Sequence, residues 1–495
     1  MSSKSKFEYL ERNLQRDELG LFETTIYPGL NVQRDYRRYY PHNYIAAQVL
    51  GYTNLDDEGI SGIEKDYNHY LRGNPGWVLK TKGWSGKVQH KSGMPFERPI
   101  DGSNIQLTID LEYQSILEEE LKKRQFETDA SSATGIIMDP ETGEILAMAT
   151  TPGFDNNQFR STKPEFHRMR SITDQFEPGS TFKVVSTVSA ISDGTINLED
   201  EFNCEDGSFE YYTKKITDHE SFSMLTLPQI MHHSSNIGIV KMMEKVGQKR
   251  LFTVGRDFGF GSKTGISLNG DFTGKLNPYN VWSAVSLGMI AMGHEVGVTA
   301  MQLASAYCVI ANGGYLLKPR IIRQIMDQNE NIIYSEEPIV SRKIATESTM
   351  SDLRKMLRGV ITNGTGTNAD IKGWKIAGKT GTAQKWQNGK YSDNKFISNF
   401  TGFFPHEQPQ LLAFIMLDEP RKPFHWGNEG AAIAFSKMAN LTTARALVSD
   451  GNGDVSVSAV TATEIGHLDG VTSAIQTQID AKASKGFATA MAIAL

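Results

Sequence analysis

A serine and a lysine stand three residues apart in the run Glu177-Pro-Gly-Ser180-Thr-Phe-Lys183. On a helix that spacing puts both side chains on one face. A serine hydroxyl is a poor nucleophile at neutral pH and needs a base within hydrogen-bond reach. A lysine is such a base only when burial or a second cation pushes its amine toward the neutral form. Two further polar clusters follow, Ser234-Ser-Asn236 and Lys379-Thr-Gly381. Ser234 can relay a proton among Ser180, Lys183 and a leaving group. Asn236 offers a donor and an acceptor to a peptide amide. The chemistry so assembled is acyl transfer through a covalent serine. Taken singly, each cluster has a blander explanation: a surface Ser-x-x-Lys on an ordinary helix, a capping serine or turn asparagine, a basic loop. Their order, spacing and setting together make the case.

The elements that must hold these residues are legible around them. Val184, Val185, Val188 and Ile191 give the segment after Ser180 a helical apolar face. Pro178 suits a first helical turn, so Ser180 is expected at or near a helix N-terminus, whose partial positive charge favours a developing oxyanion. Ser234-Ser-Asn236 is a polar break between two apolar stretches. Lys-Thr-Gly occurs twice. Lys263-Thr264-Gly265 lies only 27 residues past Asn236, in a glycine-dense loop; Lys379 lies 143 residues past it, in a strand-like run. The strand-like setting, not the loop, suits such a motif, so Lys379 is taken as functional and Lys263 as the decoy. As an edge strand, the later copy would leave backbone groups free to pair with an extended peptide, and Gly381 would remove a side chain that blocks its approach. The hydroxyls of Thr380 and Thr382 would bind a terminal carboxylate. The backbone N–H groups of Ser180 and Thr382 would form an oxyanion hole. Lys379 would add positive potential and help keep Lys183 neutral. His232 and His233 lack carboxylate or cysteine partners at ligand spacing, so no metal is expected on them.

At 495 residues the chain has room for two or three domains. A net charge of −6 gives nucleic acid no basic surface to exploit. Cys204 and Cys308 make no disulfide framework, and Cys308 reads as a small buried hydrophobe. No stretch approaches the ~20 apolar residues of a spanning helix; Val281–Ala311 comes nearest and reads as buried helix and turn. Residues 1–100 are polar and rich in turn signals. From 101 the order is strand (Ile105–Ile109), a helix capped by Asp110 with Tyr113, Ile116, Leu117 and Leu121 on its apolar face, then a hairpin turning at Pro140–Gly143. That order predicts an α+β fold with an antiparallel sheet, not alternating βαβ units. The division adopted is 1–100, 101–440 and a tail, 441–495, rich in Ala, Ser, Thr, Val and Gly.

The three clusters, with Ile136–Pro140, Gly143–Ala147 and His425–Ala432, resemble the class B penicillin-binding proteins, the monofunctional peptidoglycan D,D-transpeptidases. The resemblance covers about residues 35 to 440. It implies a serine β-lactamase-like domain, a five-stranded antiparallel sheet with helices on both faces, preceded by a partial pedestal domain (Arg38–Pro41, Ala46–Asn54, Gly62–Gly73). It implies that Ser180 attacks a D-Ala-D-Ala stem peptide and that the amine of a second stem peptide resolves the acyl-enzyme. β-Lactams would act as covalent inhibitors, and the family reaction implies no metal or organic cofactor. The polymerising partner would be a multi-pass membrane glycosyltransferase, acting with division proteins. The family's front strand and membrane helix find no match here, so the chain reads as truncated at its front. The parent protein is expected at the inner membrane, facing the periplasm. Glu177 and Phe396–Pro405 resemble the cell-division type. The alternatives are an elongation-type transpeptidase, or a β-lactamase or β-lactam sensor. Against the hydrolase stands the lack of a Glu-x-x-x-Asn pattern between the second and third clusters. Leu441–Leu447 and Leu468–Asp480 resemble shaft segments of phage tail fibres; the blander reading is a weakly structured or misjoined appendage.

Overall fold

The Asp110 carboxylate accepts the backbone N–H groups of Glu112 (2.9 Å) and Tyr113 (3.1 Å), donors that a first helical turn leaves open. Helix α1 (Leu111–Thr128) follows, with Ile116, Leu117 and Leu121 buried and Tyr113 packed at the margin. The computed structural model describes residues 8–12, 36–82, 88–89, 94–387, 389–437, 445–449 and 455–461.

Strands β1 (Ser132–Met138) and β2 (Ile145–Thr151) form the expected hairpin, and Gly143 takes a positive φ of 73° in its turn. Then come helices α2 (Lys183–Ile191), α3 (Leu227–His233), α4 (Asn236–Val246), α5 (Ala300–Ala311) and α6 (Glu347–Asn363). Strands β3 (Ala377–Gln387), β4 (Lys390–Phe404) and β5 (Leu411–Asp418) complete one sheet, and helix α7 (Ala431–Lys437) follows. The sheet order is β3-β4-β5-β1-β2, antiparallel throughout. Strand β3 therefore forms an edge. Neighbouring residues on each strand serve opposite faces. Ile136 and Phe414 join the core built with α2 to α6. Ile137 and Ile415 join the core built with α1 and α7. Each such buried side chain contributes roughly 2 kcal/mol. The α+β fold with helices on both faces is what the resemblance implied.

The strand expected at Ile105–Ile109 is Asn104–Leu107. It pairs with Ile322–Met326 in a separate three-stranded sheet. Within Val281–Ala311, every residue of α5 is buried, Cys308 among them. Among the described residues no helix is long and apolar enough to cross a membrane. The pedestal segment docks through backbone and amide contacts: Ala46 N–H donates to Glu118 Oε1 (2.8 Å), and Asn156 Nδ2 donates to Ala47 O (3.1 Å). Of the tail, only 445–449 and 455–461 are described, as two paired strands; the shaft-like segments at 441–447 and 468–480 lie almost wholly outside the described residues.

Candidate active site

Ser180 sits on a 3-10 turn, Gly179–Phe182, that runs directly into α2. Several elements hold that turn. Gly179 N–H donates to Gly293 O (3.1 Å), Asn399 Nδ2 to Pro178 O (3.1 Å), and Tyr307 OH to Thr181 O (2.9 Å). Glu177 accepts from Glu295 N–H (3.1 Å) and Tyr391 OH (3.2 Å), and meets His294 Nδ1 at 2.8 Å. Gly179 has φ of 59°, and a Cβ on it would stand 2.4 Å from Thr382 O. Glycine thus lets the nucleophile turn lie directly against the edge strand.

Three residues on, Lys183 is fully buried and points its ammonium at the second cluster. Ser234 caps α3 in the left-handed region (φ 56°). The reversal brings both its oxygens to Lys183: Nζ lies 2.5 Å from Ser234 O, 3.3 Å from Ser234 Oγ and 2.8 Å from Asn236 Oδ1. From the other side, Lys379 Nζ donates to Ser234 Oγ at 2.9 Å and reaches Thr365 Oγ1 at 3.4 Å. Lys379 too is fully buried. One hydroxyl therefore sits between two ammonium groups taken out of water. Burial pushes Lys183 down to about 7, against the opposing pull of Asp218. Burial also pushes Lys379 well below the usual lysine range, and the charge of Lys183 adds to that push. Ser180 Oγ makes no side-chain hydrogen bond among the described residues.

On β3, Thr380 Oγ1 and Thr365 Oγ1 are 3.0 Å apart, and Thr382 Oγ1 accepts the N–H of Gly427 (3.0 Å). Gly381 has a different use from the one expected. A Cβ there would meet Asn399 Oδ1 at 2.5 Å and Pro178 O at 2.7 Å. Its missing side chain makes room for the groups that hold the nucleophile turn, not for an incoming peptide. Lys263 lies exposed on its loop, where Gly265 N–H donates to Asp271 Oδ2 (2.8 Å). The structure therefore brings Lys183, Ser234, Asn236, Lys379 and Thr380 into one connected cluster, sets Gly381 and Thr382 against the Ser180 turn, and leaves Lys263 outside. His232, set aside as a ligand, packs against Gly359, where a Cβ would come within 1.9 Å of its ring.

Sequence reasoning missed Asp218, Thr365 and Asn399. Asp218 accepts from Ser235 Oγ (2.5 Å) and Ile237 N–H (3.1 Å). Asp218 and Thr365 stand in no motif, and Asn399, inside the Phe396–Pro405 segment, was given no role there. Only register, Asn399 opposite Gly381, or the fold itself brings them to the site.

A serine at the head of a buried helix, a lysine behind it, a Ser-x-Asn turn and a cationic edge strand define a serine acyltransferase site on a five-stranded α+β sheet. The model of the penicillin-binding protein transpeptidase domain matches residues 133–440, and that of the penicillin-binding protein dimerisation domain matches residues 2–107. The chain belongs to the penicillin-binding protein transpeptidase family. It is 32% identical over 408 residues to stage V sporulation protein D of Bacillus subtilis, covering 82% of this chain and 63% of that protein. It is 30% identical over 437 residues to peptidoglycan D,D-transpeptidase FtsI of Escherichia coli, covering 88% of this chain and 72% of that protein. The crystal structure of penicillin-binding protein 3 from Mycobacterium tuberculosis superposes with a TM-score of 0.72 at 27% identity, over 81% of this chain and 89% of that one. The same protein has been crystallised in complex with aztreonam.

Proposed function

We propose that this chain is a peptidoglycan D,D-transpeptidase that cross-links stem peptides through an acyl-enzyme on Ser180. The observation that carries the reading is the pair of buried lysines on one hydroxyl: Ser234 Oγ lies 2.9 Å from Lys379 Nζ and 3.3 Å from Lys183 Nζ. A lysine held near 7 is neutral for part of the time at physiological pH. It can take the Ser180 proton as Oγ attacks the carbonyl of the penultimate D-Ala. The backbone N–H groups of Ser180 and Thr382 serve the oxyanion. As the tetrahedral intermediate collapses, the proton passes through Ser234 to the departing amine, and D-Ala leaves. The acceptor amine then attacks the ester, gives up its proton by the same route, and releases Ser180. Thr380 and Thr382 hydroxyls and the charge of Lys379 bind the donor's terminal carboxylate, and Asn236 holds its amide. A β-lactam reproduces the first half of this sequence and stays on Ser180.

The names of the relatives and the Glu177-Pro-Gly-Ser180 run support a role in septal wall synthesis. We place the site at the inner membrane, facing the periplasm, beside a multi-pass membrane glycosyltransferase and division proteins. The test is release of D-Ala and formation of cross-links from a D-Ala-D-Ala stem pentapeptide and an amine acceptor, by purified protein beside Ser180→Ala. Release in wild type alone supports the reading. Rapid hydrolysis of a chromogenic cephalosporin with no cross-linking would overturn it in favour of a β-lactamase.

A further inference from the structure

The turn after the strand Lys214–Thr217 presses a carboxylate into the start of α4, and the reaction sequence above does not use it. Asp218 Oδ1 accepts the backbone N–H groups of Asn236 and Ile237, and Oδ2 accepts the Ser235 hydroxyl. Those N–H groups are donors that the first turn of α4 leaves open, and the helix dipole favours an anion there. One residue back, Thr217 O accepts a hydrogen of Asn236 Nδ2 (2.9 Å). That bond sets the amide: with Nδ2 on Thr217, Oδ1 faces Lys183 Nζ at 2.8 Å. The second Nδ2 hydrogen remains for a substrate carbonyl. We infer that Asp218 is a positioning residue for acyl transfer, which fixes where Asn236 stands and supplies the counter-charge that steadies Lys183. The inference rests on the reading of Ser180 and Lys183 as nucleophile and base.

The charges around Lys183 give the expected sign. Asp218 favours its protonated form and opposes burial. Lys379 faces it from β3 across Ser234 Oγ, with its own amine pushed well below the usual lysine range by burial, while Ser234 and Asn236 are neutral. Cys204, 3.6 Å from Ser235 Oγ, has its thiol pushed up by burial and stays protonated. Lys241, beyond Cys204, is paired with Glu205. Removing the charge of Asp218 while keeping its shape therefore leaves Lys183 neutral down to lower pH.

The experiment is the rate of Ser180 acylation by a fluorescent penicillin as a function of pH, for wild type, Asp218→Asn and Asp218→Ala. Asp218→Asn should move the acid limb down by about half to one pH unit. One unit below the wild-type limb, its rate as a fraction of its own plateau should rise about three- to fivefold. Asp218→Ala should also lower the plateau, by about tenfold or more, because Asn236 loses its anchor. An acid limb that stays in place in folded Asp218→Asn would overturn the inference. Should that variant not fold, Asp218→Ser carries the same test of lost charge. Failure of both to fold would also contradict the inference, because it would make the carboxylate a structural requirement. A wild type that takes no label at Ser180 would instead bring down the reading of the site itself.

Discussion

The tripeptide Lys-Thr-Gly occurs twice in this molecule and means two different things. At Lys263-Thr264-Gly265 it is a surface loop: the lysine is exposed and the glycine holds φ at 83°. At Lys379-Thr380-Gly381 it is an edge strand: the lysine is fully buried and its amine lies 2.9 Å from Ser234 Oγ. Water screens the first charge and leaves it inert. The second is dehydrated, set against Lys183, and forced well below the usual lysine range. The same three residues become chemistry only where the fold removes water and supplies a partner.

Truncating each lysine in turn should separate the two sites most widely. Lys379→Ala should slow acylation of Ser180 by about a hundredfold or more, and Lys263→Ala should leave it within about twofold. Stopped-flow labelling with a fluorescent β-lactam measures both, and equal losses would dissolve the distinction.

The two glycines differ in the same sense. Gly381→Ala would drive a Cβ into Asn399 and Pro178 and displace the nucleophile turn, with a loss of about ten- to a hundredfold in acylation rate. Around Gly265 the nearest heavy atom is Lys318 Cγ at 3.5 Å, so Gly265→Ala meets only the left-handed backbone. That costs roughly 1–2 kcal/mol and should lower Tm by a few degrees while labelling is unchanged. A thermal scan beside the labelling assay separates the two effects.

The pH dependence of the wild type follows from Lys183. With the amine held near 7, acylation should rise as pH passes upward through about 7 and flatten above it. Below that limb it should fall about tenfold per pH unit. A rate independent of pH between 5 and 9 would remove Lys183 from the role of base.

Burial without a reacting partner should show up in stability alone. Glu118 joins α1 to the pedestal through Ala46 and Gln114, and burial raises its carboxyl to about 7. The folded state then binds more protons than the unfolded state between about 4.5 and 7, so stability is greatest at low pH and falls as pH rises through that window. Glu118→Gln should flatten the fall and add about 1–3 kcal/mol at pH 8, near the low end because the residue keeps some exposed surface. Urea unfolding at pH 5 and pH 8 checks the sign, and acylation should not change.

Much of the site was legible because its chemistry is local. Ser180 and Lys183 share one helical turn, Ser234 and Asn236 share one corner, and β3 stood out as a strand-like run. The Asp110 cap and the β1–β2 hairpin are equally short-range and were read from spacing. What escaped acts across the chain. Asp218 is an ordinary acidic residue until the hairpin before it folds back onto α4. Asn399 matters because it lies opposite Gly381 in the β3–β4 register. For the same reason Gly381 was assigned to the substrate side: alternation along a strand tells which residues share a face, not which face turns inward. The strand at 104–107 was found, but its pairing with residues 322–326 depends on a contact more than two hundred residues away.

Whether Ser180 is the acylated serine, and Lys379 its working cation, is decided by covalent labelling with fluorescent penicillin of wild type, Ser180→Ala, Lys379→Ala and Lys263→Ala, with the labelled peptide identified by mass spectrometry. Slowly decaying label is expected on Ser180 in wild type and in Lys263→Ala, with strongly slowed labelling in Lys379→Ala and none in Ser180→Ala. Label that persists in Ser180→Ala, or that depends on Lys263 and not on Lys379, would contradict both assignments.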